Sequence, residues 1–469
     1  MAVCATVVGG CSRTIGGIPT TADTVPTTTV AGLPVTDGPS GPKPGVPDAT
    51  IPVENTDGGE MDTLAANAVA DIQTYWKQAF PTAFGKKFTP VKRFVSYDST
   101  APGMQLCGQS TSGAVNAFYC PLDDSVSWDR ARLLPKLDNS FGPMAVVTVL
   151  AHEMGHAVQQ RANDGTEGVP TIVLEQKADC FTGAFFRHVA EGAAKHFRIS
   201  TGPGLNKAMG VLNYIRDTPG KTGFTGENAH GSSFDRISAF QHGFDDGPRR
   251  CAEMTTESIK RRTTQFRFWK DSQETDLPIN RDSATAVERS LREVFGDTGA
   301  APPEITTSRS PCGGGETTSP ASYCPETNTV SLDVPALRRV AQPPSTDKRN
   351  SGYGDFAAYA QVASRYALSV QKAAGLPLDG KAAGLRTACL VGSWSGLLVE
   401  DPIGQRNPVG KLRIAPGDID EGTAALLGDD SLIAADVDGD QVPAGFARVE
   451  AFRVGFQQGM SPCTTKYGK

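Results

Sequence analysis

No uninterrupted apolar run in this sequence approaches the roughly 20 residues that span a bilayer. The folded part is therefore expected to be soluble. Basic blocks are missing too. Against 45 Lys and Arg stand 51 Asp and Glu, a net charge of −6 with His neutral, which argues against a nucleic-acid partner. Aromatics nearly vanish between about 12 and 57, where Thr, Pro and Gly dominate. Such a stretch buries too little surface to offset its ordering entropy, so 12–57 is expected to be a disordered linker. Histidine is scarce, six in 469 residues, so each one is weighed below.

Residues 1–11 are small and apolar and end Val8-Gly9-Gly10-Cys11-Ser12. This resembles a bacterial lipobox, which implies a remnant signal segment, lipidation at Cys11 and anchorage outside the cytoplasmic membrane. No Lys or Arg precedes Cys11 and the apolar stretch is short for a signal peptide, so an uncleaved N-terminus is the alternative.

The length predicts two domains, and an internal repeat supplies them. Phe240-Gln241-His242-Gly243-Phe244 has a counterpart in Phe452-Arg453-Val454-Gly455-Phe456, an offset of 452 − 240 = 212. The same offset pairs Arg236 with Arg448 and Cys251 with Cys463. Tyr119-Cys120-Pro121 echoes Tyr323-Cys324-Pro325, an offset of 323 − 119 = 204. Two homologous domains are expected, 58–265 and 266–469. The cysteines obey the repeat: Cys107, Cys120, Cys180 and Cys251 match Cys312, Cys324, Cys389 and Cys463. Each half should repeat the other's pairing, which narrows the 105 connectivities of eight cysteines; the expected set is Cys107–Cys120, Cys180–Cys251, Cys312–Cys324 and Cys389–Cys463. Disulfides point outside the cytoplasm. Eight buried thiols are the alternative.

Apolar spacing predicts helices over Met61–Phe80, Met144–Arg161, Thr171–Ala190, Leu205–Ile215 and Phe234–Phe244. Short strands are expected at Phe118–Tyr119 and Val126–Trp128. Long helices with few strands make the fold class α+β.

His152 and His156 are four residues apart on a predicted helix and project from one face, the arrangement by which two imidazoles hold one Zn²⁺. Glu153 sits beside the first ligand, placed to act as general base on a zinc-bound water. Gly155 is expected to leave room near the metal. The apolar run before His152 makes this a buried helix rather than a solvated one with two surface histidines. A third ligand is needed, and Glu175 on the next helix is the candidate. Asp179, four further on, shares its face and can orient a ligand histidine. An ordinary surface pair of acids is the alternative for these two.

His152-Glu153-Met154-Gly155-His156, then Glu175 to Gly183, then His230-Gly231-Ser232-Ser233 before Arg236 and Phe240, resembles the bacterial neutral zinc metallopeptidases. The similarity runs over about 100–251, and the start of the chain resembles actinobacterial lipoprotein peptidases. It implies a zincin-like domain with one Zn²⁺ on His152, His156 and Glu175, and Glu153 as base. His230 then takes a second catalytic role near the metal, with a structural hydrogen bond at a helix N-terminus as the alternative. His188, His196 and His242 are read as non-catalytic.

In the second half, His152, Glu153 and His156 correspond to Ser364, Arg365 and Leu368. Gly384, Ala388 and Val442 fall opposite Glu175, Asp179 and His230. The second domain is therefore expected to be an inactive pseudo-peptidase copy. Asp436 to Asp440 fails the EF-hand pattern and reads as a solvated acidic loop. The expected activity is hydrolysis of a peptide or protein substrate at the cell envelope, with membrane contact only through Cys11 and no oligomer evident. A zinc hydrolase of peptidoglycan cross-links and a non-catalytic binding or scaffold protein remain as alternatives. An edge strand near Ser125–Asp129 is expected to pair with the substrate.

Overall fold

The computed structural model describes residues 29–162, 168–219, 226, 229–262, 277–308, 312, 317–345, 351–398, 412, 414, 415 and 417–468. Cys11 and the 265/266 boundary lie outside them.

The first long element of the first half is α1 (Glu60–Phe84). A three-stranded sheet follows, β1 (Arg93–Tyr97), β2 (Ala117–Cys120) and β3 (Ser125–Asp129). Then come α2 (Leu133–Phe141), α3 (Pro143–Ala162), α4 (Thr171–Ala190), α5 (Pro203–Tyr214) and α6 (Ser233–Asp246). The strand order is β1-β3-β2, with β1 parallel and β2 antiparallel to β3. β3 is thus the central strand. The expectation of an edge at Ser125–Asp129 is corrected: both sides of β3 are paired, and β1 and β2 are the outer strands.

The second half contains α7 (Arg281–Phe295), β4 (Glu304–Thr306), β5 (Ala321–Cys324) and β6 (Thr329–Leu332). It ends with α8 (Asp355–Ala373), α9 (Gly380–Leu398), α10 (Asp418–Leu427) and α11 (Gly445–Gln458), apart from a short terminal helix. Its sheet has the order β4-β6-β5, with the same parallel and antiparallel pairs. The tightest helix contacts also correspond, α4 on α6 and α9 on α11. Both rest on glycine. A Cβ on Gly183 or Gly243 would strike the backbone of Phe240 or Cys180, and one on Gly392 or Gly455 that of Phe452 or Cys389. Cys180–Cys251 and Cys389–Cys463 tie α4 and α9 to the short helices that follow α6 and α11, and each hairpin carries another disulfide, Cys107–Cys120 and Cys312–Cys324.

Helix α3 is buried almost all round from Met144 to Ala151, as its apolar run requires. Its neighbours α1, α4 and α5 supply that cover. One hydrophobic core runs through both halves.

Residues 29–57 are not the disordered linker expected from their composition. Val30 is buried. Gly41–Pro42 pairs with Phe197–Arg198, and Glu54 bridges Val95 on the outer side of β1. Thr36 N–H donates to Thr201 Oγ1 at 2.9 Å, and Ala49 N–H to Asn67 Oδ1 at 2.7 Å. The segment builds no core of its own. It hydrogen-bonds along a surface already fixed by the helices, so fixed partners offset its ordering entropy. The ordered part of the first half therefore includes 29–57, ahead of the boundary expected at 58. The acidic loop is corrected likewise: Asp436 is buried, and its Oδ2 accepts from Gly380 N–H at 2.6 Å at the start of α9.

Candidate metal centre

His152 and His156 lie on α3 with ring centroids 4.9 Å apart. Glu175, from the first turns of α4, faces them. His152 Nε2 is 2.9 Å from Glu175 Oε2, and His156 Nε2 is 3.4 Å from Oε1. One donor atom from each of the three lies within 4.8 Å of the others. Two imidazole nitrogens and a carboxylate converging this way match the three protein ligands of a catalytic zinc site. The donor set therefore fits Zn²⁺.

The remaining groups orient this set. His152 Nδ1 meets Asp179 Oδ1 at 2.8 Å. Asp179 is in turn held by Arg236 from α6, Nε to Oδ2 and Nη2 to Oδ1, both at 2.9 Å. Arg236 Nη1 donates to Ile215 O at 3.0 Å. Gln159 donates to Leu174 O at 2.8 Å, tying α3 to the start of α4. The expectation that Gly155 leaves room near the metal is corrected: the glycine faces α4. A Cβ there would come within 2.9 Å of Ala178 Cα. The glycine lets α3 approach α4 closely enough for the ligands to meet.

Glu153 stays out of the cluster. Its Oε2 accepts from Tyr119 N–H at 3.0 Å, on the edge strand β2. His230 precedes α6. Its Nε2 lies 3.8 Å from Glu175 Oε2 and its Nδ1 3.3 Å from Asp217 Oδ1. Asp217 Oδ2 also accepts from the amides of His230 and Gly231 at 2.8 and 2.9 Å. With 41% of its side chain exposed, His230 is the histidine of the group most open to solvent. The structure thus gathers all six predicted residues, Glu153, His230, His152, His156, Glu175 and Asp179. It adds Arg236, Asp217 and the Tyr119 amide, to which sequence reasoning gave no role. The retention of Arg236 at offset 212 was the available signal for one of them.

The other histidines lie elsewhere. His196 is buried, 2.7 Å from Asp71. His188 packs on Tyr75 and Phe185, and His242 stands 3.3 Å from Arg453.

The electrostatics favour a cation at the cluster. Burial opposes a charge on His152, yet Asp179 and Glu175 push its pKa up to about 10. Burial also opposes the charge on Glu175, but His156 and His152 hold its carboxyl well below the ordinary range. The Glu153 carboxyl moves the other way. Burial raises it, and the two histidines offset this only in part.

Site and fold define the class: an α+β chain with a two-histidine, one-carboxylate centre of the zinc type. Residues 28–254 match the family described as "Putative neutral zinc metallopeptidase". The Escherichia coli K12 protein YpfJ, uncharacterized, is 28% identical over 203 residues, 39% of this chain and 68% of that protein. The uncharacterized Mycobacterium tuberculosis protein Rv2575 is 36% identical over 90 residues, 17% of this chain and 30% of that protein. No solved structure matches.

Proposed function

We propose that the first half is a zinc-dependent peptidase. The observation that carries this reading is the convergence of His152, His156 and Glu175 beside a buried Glu153 that faces an edge strand. One zinc ion per chain would be held by those three residues, and when bound it supplies Lewis acidity toward the carbonyl and the water. Glu153 takes the proton of the attacking water and returns it to the leaving amine. A buried carboxyl with a raised pKa suits both transfers near neutral pH. The Tyr119 amide fixes the orientation of Glu153. An extended substrate pairs with β2, an outer strand, in place of the β3 pairing expected from sequence. His230, held by Asp217, steadies charge that develops on the carbonyl oxygen.

The second half is, in this reading, an inactive copy. Arg365, opposite Glu153, is buried and donates to the carbonyls of Leu432, Ala435 and Asp436. A Cβ on Gly384, opposite Glu175, would meet Ala434 O and Val442 Cγ2 at 2.8 and 2.9 Å. Val442 is the residue opposite His230, so the spatial neighbours correspond while the chemistry is gone. Arg448, opposite Arg236, has no carboxylate to fork and donates instead to the carbonyls of Leu426, Val442 and Gly428.

Four disulfides support a place in the cell envelope. No helix among the described residues is long and apolar enough to cross a membrane, and anchorage through Cys11 completes the proposal. Metal analysis of protein from an oxidising compartment, with an unbiased peptide-cleavage screen, tests it. One zinc per chain and cleaved peptides are expected. Zinc-loaded protein that cleaves cell-wall fragments but no peptide would move the activity to peptidoglycan, and protein without zinc would leave a binding role.

A further inference from the structure

Helix α10 of the second half packs on α5 and α6 of the first. Its Asp420 is buried. Asp420 accepts hydrogen bonds from the amides of Phe234, at 3.2 Å, and Ser233, the first two residues of α6. It also lies 3.1 Å from Arg216 Nε. These contacts flank the site residues on both sides. Arg216 adjoins Asp217, which holds His230 and Gly231. Ser233 follows His230 by three positions, and one turn into α6 stands Arg236, the clamp on Asp179.

The opposite contact exists at the related place. Asn206 of α5 accepts at Oδ1 from Gly445 N–H at 2.9 Å. Gly445 is the first residue of α11 and lies 445 − 233 = 212 positions beyond Ser233. Each half thus holds the start of the other's helix, the self-complementary pattern of a two-fold interface. The two caps differ in what lies beyond them. Ahead of α6 is His230, whereas the matching position ahead of α11 is Val442.

We propose that Asp420 is a positioning residue for the active site of the first half: it grips the start of α6 together with Arg216, and so holds His230 against Glu175 and Arg236 on Asp179. The inactive half then supplies part of the working geometry of the active one. This rests on the peptidase reading for its catalytic arm.

The test uses the zinc-loaded full-length chain as wild type, Asp420→Ala, Asp420→Asn and Asn206→Ala. Readouts are kcat and KM on a peptide found by the cleavage screen, zinc content, and amide hydrogen exchange of peptides spanning 229–240 and 444–452. Asp420→Ala is expected to lower kcat about 10- to 100-fold, the effect of a small misplacement of reacting groups. KM and zinc content stay within about twofold on that account, and exchange rises across 229–240. Asp420→Asn, which retains an amide acceptor without the charge, should fall between it and wild type. Asn206→Ala, the matched cap, should raise exchange at 444–452 and leave kcat unchanged. Unchanged kcat and exchange in the Asp420 variants overturn the proposal, and so does an equal loss of kcat in Asn206→Ala, which would mean a loosened interface only. If Asp420→Ala does not fold, Asp420→Asn decides by the same criteria. If zinc-loaded wild type cleaves no peptide, the peptidase reading fails, and the exchange contrast alone upholds or overturns the clamp.

Discussion

Arg236 forks onto Asp179 through two contacts of 2.9 Å, and both side chains are buried. The same carboxylate meets His152 Nδ1 at 2.8 Å. A carboxylate held in this way orients the His152 ring and turns its Nε2 toward Glu175.

Loss of the carboxylate should therefore be felt at the metal before the chemistry. Asp179→Asn is expected to weaken zinc binding by about 10- to 100-fold, read by competition with a chelator. Arg236→Met is expected to destabilise the chain by roughly 3–5 kcal/mol, because it removes the guanidinium from a buried carboxylate that keeps only His152. Denaturant unfolding measures it. Normal zinc affinity in Asp179→Asn would refute the orienting role.

Glu153 bonds to a backbone amide rather than to the ligand cluster. Glu153→Gln keeps the shape and the acceptor oxygen but removes the base. Zinc content should stay at the wild-type value while kcat drops about 10²- to 10⁴-fold. Retained turnover would exclude Glu153 as the base.

Where the halves meet, Asp245 on α6 lies near Glu450 on α11, with Arg453, Asp246 and Lys466 around them. Burial, followed by the charge of Glu450, pushes Asp245 up to about 8 from its ordinary 3.8. For an acid raised in this sense, the folded chain binds the extra proton. The stability it contributes is complete below about pH 4 and is lost as pH rises through 8. Asp245→Asn should gain on wild type as pH rises from 5 to 9, by up to about 1.4 kcal/mol per pH unit below 8. Thermal unfolding at the two pH values measures this, and parallel curves would rule it out.

The Cys180–Cys251 bridge closes a span of 71 residues and Cys389–Cys463 one of 74. Loop closure on that scale stabilises by about 4 kcal/mol each in the chain-entropy model. Cys180→Ala/Cys251→Ala should lower the unfolding free energy accordingly. In unreduced, denatured wild type, none of the eight paired cysteines should react with a thiol reagent.

Much of the site was legible because it is local. Four residues make about one helical turn, so the sequence by itself placed His152 with His156 and Glu175 with Asp179 on common faces. The matching cysteine positions narrowed the disulfide partners without any coordinates, since two halves read as copies are expected to pair alike. Composition misled for 29–57, because burial potential within a segment says nothing of the hydrogen-bonding surface a neighbour offers it. Only tertiary structure decided that the α3 and α4 faces meet, that Gly155 serves the helix contact, and that β1 and β2 rather than β3 are the outer strands. It alone brought His230 and Arg236 to residues more than fifty positions away, and set Asp420 behind them. Periodicity determines the direction of a side chain within its own element. Distances between elements follow from how buried surfaces pack, and that depends on residues far apart in the chain.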